Sequence, residues 1–172
     1  MHDELLNAWQ AIAQDFSDLQ DVGRLTHVAV RLTCAALIGG MLGYEREQSG
    51  KSAGLRTYML VTIGATFFVL VPQLEGVADM SRVVQGIIAG IGFLGAGAIL
   101  KRAQDNEIHG LTTAAGIWMA AAAGTAVGFG RLGTALVGGL IGFLVLGWLQ
   151  RLERQLRTAS AKTKPTSEDG AQ

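Results

Sequence analysis

Hydrophobic positions along the chain gather into five long stretches, at about 28–44, 57–74, 83–100, 111–129 and 132–149, with polar residues confined to the joints between them. Each stretch has the roughly 17–25 residues a helix needs to cross a hydrocarbon core. The third, "VVQGIIAGIGFLGAGAIL", carries no charge, and the only charge inside the first is Arg31. One such run is compatible with a buried soluble helix. Five in succession leave too little polar chain to cover them, so the pattern predicts an all-α integral membrane bundle of five transmembrane helices spanning residues 25–150.

The flanks follow different rules. In residues 1–24, Leu5, Trp9, Ile12, Phe16 and Leu19 recur at steps of three and four, while Asp3, Glu4, Asp15, Asp18 and Asp21 occupy other positions. This predicts an amphipathic helix, lying at the membrane interface or docked on its own bundle. It has neither the basic start nor the short apolar run of a signal peptide. Residues 151–172 are expected to form a basic, then disordered, tail. Basic residues in the joints are uneven: ten lie on the side of the first-to-second joint, the third-to-fourth joint and the C-terminus, against three on the other. By the positive-inside rule the C-terminus is expected in the cytoplasm and the N-terminal helix outside.

Composition sharpens the picture. Mean hydropathy is +0.34, and charged residues are only 16% of the chain, against about 25% in an ordinary soluble domain. The net charge of zero offers no electrostatic footprint for nucleic acid. The single cysteine, Cys34, excludes an internal disulfide and a cysteine-rich metal site.

Glycine is abundant, with 24 residues, and "GIGFLGAG" at 90–97 matches the spacing of a dinucleotide-binding loop. That loop requires a preceding strand and an acidic residue about 20 positions on, and here it falls in the middle of an uncharged span. The glycines read instead as helix contacts, since small residues let helices approach closely in lipid. On the third span, Gly86, Gly90 and Gly97 fall within about 40° of one another and Gly92 and Gly95 on roughly the opposite face. This predicts a helix packed between two neighbours, in which Gly90→Leu would abolish stable accumulation. Gly39 and Gly43 on the first span, Gly116, Gly124 and Gly128 on the fourth, and Gly138 and Gly142 on the fifth extend the same expectation.

Polar candidates cluster in "GYEREQSGKSAGLRTYML", which leaves the first span through Glu45, Arg46 and Glu47 and enters the second through Arg56 and Thr57. It reads either as a positive-inside joint or as a charge network at the mouth of the bundle. Arg31 shares a helix face with Glu45. It either meets a buried partner or snorkels to the interface. On the other side, Asp79 or Ser81 is suited to cap the third span. Glu75 and Asp79 are weak candidates for a divalent cation, and no metal site is expected. Arg82, Thr112 and Thr113 complete the polar set; His109 reads as a loop residue. No catalytic set and no cofactor-binding motif is present, so no enzyme is expected.

"GYERE…GKSAGLRTYMLVTIGA", "SRVVQGIIAGIGFLGAGAIL" and "IHGLTTAAGIWMAAAAG" together resemble the helix signatures of the MgtC/SapB family of bacterial inner-membrane proteins, over about residues 28–150. The resemblance implies a five-helix domain and a regulatory role in adaptation to low magnesium and, in pathogens, survival inside host cells. It further implies action on other membrane proteins, notably ion-motive ATPases, rather than catalysis. It carries over Glu45, Arg46, Arg56, Thr57, Arg82, Thr112 and Thr113 as the family's polar positions. Some members carry an ACT-like domain after the last helix; only about twenty mostly polar residues follow it here. The expected partners are the lipid bilayer, other membrane proteins and a second copy of the chain. The competing expectation is a magnesium or other cation transporter.

Overall fold

The computed structural model describes residues 2–15, 21–101 and 108–149. Phe16 and Leu19 of the N-terminal stripe and the whole 151–172 tail lie outside these. Helix α1 (His2–Asp15) keeps Leu5, Trp9 and Ile12 exposed. Helix α2 (Val22–Gln48) begins six residues earlier than hydropathy alone places it, because Asp21 caps it by accepting the Arg24 N–H at 3.1 Å. Its 27 residues extend about 40 Å, more than the roughly 30 Å hydrocarbon core.

Helix α3 (Leu55–Leu74) carries Pro72 in its final turn, where the missing N–H leaves the Phe68 carbonyl without its i→i−4 donor. Helix α4 (Ser81–Ala98) stops short of Leu100. Leu100 instead opens a two-residue strand β1 (Leu100–Lys101), paired antiparallel with β2 (Ile108–His109). The chain enters helix α5 (Leu111–Gly128) through Gly110 at φ 94°, where a Cβ would strike the Ala98 carbonyl. Helix α6 (Leu132–Leu144) runs into a π-helical segment, Val145–Leu149. The fifth span is therefore a short α-helix extended by a wider-wound turn.

The core lies where α2, α3, α5 and α6 meet. Ala35, Ile38, Leu42, Tyr58, Ala120 and Val127 are almost wholly buried. Close approach depends on glycine. A Cβ at Gly43 would sit 2.7 Å from the Leu55 Cα, and one at Gly128 would sit 2.6 Å from the Val69 Cβ. At Gly39 and Gly124 a Cβ would run into Thr62, and at Gly116 into the Tyr58 hydroxyl. Gly138 and Gly142 seat Met119, while Gly139, outside the expected stripe, seats Ile38. Thr66 Oγ1 lies 2.9 Å from both the Thr62 and the Gly124 carbonyl oxygens, so its one proton is shared between them and the second contact ties α3 to α5.

Helix α4 departs from the expectation that it sits between two neighbours. Gly95 alone of its glycines is buried, with a Cβ there 3.7 Å from the Ala114 Cβ. At Gly86, Gly90, Gly92 and Gly97 an added Cβ meets nothing within 4 Å among the described residues. The helix packs mainly on α5 and touches α3 only lightly among the described residues.

Candidate functional site

Charge collects at the two ends of the bundle. At the end where α2 meets α3, Arg46 is 1% exposed and Glu45 12%, and Arg46 Nη1 lies 3.6 Å from Glu45 Oε2. Burying a guanidinium is costly unless its charge is balanced. Glu45 supplies a countercharge from the adjacent position, and the buried Tyr58 side chain is close enough for its hydroxyl to feel the charges of Arg46 and Glu45. Glu45 is itself held by Ser49, whose Oγ donates to Oε1 at 2.8 Å. The π-helical segment reaches this site because Gly147 has no side chain, and a Cβ there would lie 3.3 Å from Glu45 Cγ.

The α2–α3 turn is closed by Glu47, whose Oε2 accepts the Leu55 N–H at 2.8 Å and so caps α3. Tyr58 reaches across to α5, its hydroxyl 3.5 Å from the Thr113 carbonyl. Thr113 is buried, but Arg56, Thr57 and Thr112 are exposed. The structure thus gathers Glu45, Arg46 and Thr113 about Tyr58 and leaves the other three at the surface. Sequence reasoning missed Tyr58 as the hub. The available signal was a tyrosine two positions inside a span, facing the glycine stripe of α5.

At the opposite end, Arg31 Nη1 donates to Gln73 Oε1 and to the Gly128 carbonyl, each at 2.9 Å. It has a definite partner across the bundle and locks the ends of α2, α3 and α5 together. Gly130, at φ 75°, makes room for it, since a Cβ there would lie 2.8 Å from Arg31 Nη2. Gln73 was not foreseen because its role exists only when α2 and α3 are side by side.

Glu75 is exposed. Asp79 Oδ1 accepts the Ser81 N–H at 3.0 Å and the Ser81 hydroxyl, and these bonds hold its carboxyl below the usual aspartate value. Asp79 thus closes the turn before α4. Among the described residues no three His, Cys, Asp or Glu side chains converge as a metal would require.

Between α3 and α4 an apolar groove of about 780 Å³ opens to the surroundings. Gly64, Phe68, Arg82, Gly86, Gly90 and Leu94 are among its lining.

Long apolar helices, glycine contacts and charges at the two ends define a multi-pass, all-α membrane bundle. The chain belongs to the MgtC family, whose model matches residues 32–155. It is 42% identical over 140 residues to Protein SrpB of Synechococcus elongatus, covering 74% of this chain and 77% of that one. It is 39% identical over 137 residues to the putative magnesium transporter YhiD of Escherichia coli, covering 74% of this chain and 62% of that one. Against Protein MgtC of Brucella abortus, identity is 44% over 114 residues, covering 66% of this chain and 47% of the relative. The match thus spans about half the length of the Brucella protein. No solved structure matches the chain.

Proposed function

We propose that this protein is a non-enzymatic regulator in the bacterial inner membrane, acting on partner membrane proteins such as ion-motive ATPases during adaptation to low magnesium and, in a pathogen, survival in host cells. The observation that carries this reading is the open side of α4. A Cβ added at Gly86, Gly90, Gly92 or Gly97 would meet nothing within 4 Å among the described residues, and the α3–α4 groove beside them has the smooth, apolar lining a partner helix packs against. The positive-inside asymmetry supports a cytoplasmic C-terminus and an outer N-terminus.

A second reading, a magnesium transporter, is favoured by the name of the YhiD relative. Against it, ion paths normally need ionisable groups within the spans. Here the buried hydroxyls of Thr62 and Thr66 are committed to backbone carbonyls. Two experiments separate the readings. A photo-crosslinking residue at Phe93, which is 82% exposed on α4, is expected to capture an ion-motive ATPase subunit in cells grown at low magnesium. Purified protein in liposomes is expected to give no magnesium flux above empty vesicles. Robust flux without a crosslinked partner would overturn the regulatory reading.

A further inference from the structure

A hollow of about 490 Å³ lies at the Arg31 end of the bundle, between the first turns of α2 and the last turn of α3. Arg24, His27 and Arg31 line it from α2, and Gln73 from α3. Positions 24, 27 and 31 fall at steps of three and four, so one helix face points three basic side chains into one space. The carboxylate on the rim, Asp21, is engaged in capping α2 through the Arg24 N–H. Two guanidiniums against one carboxylate leave the hollow net positive.

The part-buried member is held in place rather than free to sweep. Arg31 spends Nη1 on Gln73 and the Gly128 carbonyl. Its Nη2 and Nε pack beside Gly130, where a Cβ would lie 2.8 Å from Nη2. A guanidinium fixed by its own scaffold holds its positive charge at one side of the hollow, where that charge attracts a phosphate group. Arg24 and His27 supply further donors from the same face. The hollow also stands at an end of the bundle, the level at which the headgroups of a bilayer around these spans would lie.

We propose that this hollow binds a single phosphate group, presented either by an anionic phospholipid headgroup or by free phosphate. Arg31 supplies fixed positive charge, and Arg24 and His27 donate to the anion.

The test uses the full chain purified in neutral detergent. Inorganic phosphate is titrated by calorimetry. In parallel, the protein is incubated with phosphatidylglycerol or phosphatidylcholine and examined by native mass spectrometry. The Arg24→Gln/His27→Gln double variant alters two exposed side chains outside the core, and its melting temperature serves as the check on folding. One saturable phosphate-bearing ligand is expected, bound about tenfold more weakly by the double variant. Retention of phosphatidylglycerol over phosphatidylcholine, without phosphate binding, assigns the site to a lipid headgroup. Phosphate binding without that lipid preference assigns it to the free anion. Silence with phosphate together with equal retention of the two lipids would overturn the proposal, as would binding undiminished in the folded double variant.

Discussion

Gly116 and Tyr58 show how much depends on one missing atom. Tyr58 crosses from α3 to α5 only because position 116 lacks a Cβ, and an added methyl would lie 3.0 Å from the ring Cζ and meet the hydroxyl. Gly116→Ala is therefore expected to destabilise the bundle by about 1–3 kcal/mol, read from thermal unfolding in detergent. Tyr58→Phe in the same chain should recover part of that loss. A double variant no more stable than Gly116→Ala alone would show that the hydroxyl is not what the methyl strikes. Glycine at 116 was visible in the sequence as a small residue on a stripe. That it accommodates a tyrosine, and that this tyrosine borders Arg46, depends on the rotation of α3 about its axis, which hydropathy does not encode.

Helices α4 and α5 are both rich in small residues, yet they use them differently. In α5, Gly124 faces the Thr62 carbonyl and Gly128 faces Val69. In α4, Gly90 faces only the groove. Gly124→Ala is expected to cost about 2–3 kcal/mol and Gly90→Ala to stay within about 0.5 kcal/mol, compared by unfolding in the same detergent. By the same geometry Gly90→Leu should accumulate near the wild-type level and lose the Phe93 crosslink, reversing the expectation drawn from periodicity alone.

The start of α4 carries a separate prediction. The Asp79 carboxyl is held below its ordinary value of 3.8 by its Ser81 bonds, so its contribution is present above that pH and is lost as pH falls through the lowered value. The difference between wild type and Asp79→Ala in Ser81 amide exchange should be clear near neutrality and vanish in strong acid.

For the whole molecule, the separation of charge into two ends makes orientation testable. With Cys34 changed to Ser, a cysteine at Ser52 should react with an impermeant reagent only after the cytoplasmic side is opened. One at Val77 should react from outside in intact cells. The reverse pattern would turn the bundle over. Both positions lie in the joints flanking α3, so the pair reports on a single span and does not depend on the tail.

Sequence alone determined the class of protein and most of its elements. Runs of apolar residues as long as a bilayer is thick leave the backbone no alternative to helix, and the motifs that resemble the MgtC/SapB family agree with the family the chain belongs to. It also marked Glu45, Arg46, Thr113 and Arg31 as polar residues worth following. Tertiary structure decided which of them act together. It buried Arg46 beside Tyr58, gave Arg31 partners on α3 and α5, and left Arg56, Thr57 and Thr112 at the surface. It also sorted the glycines of α5, which are filled by neighbours, from those of α4, which are not. The reason is that periodicity states which residues share a face of a helix. Which helix that face meets is set by packing across the whole bundle.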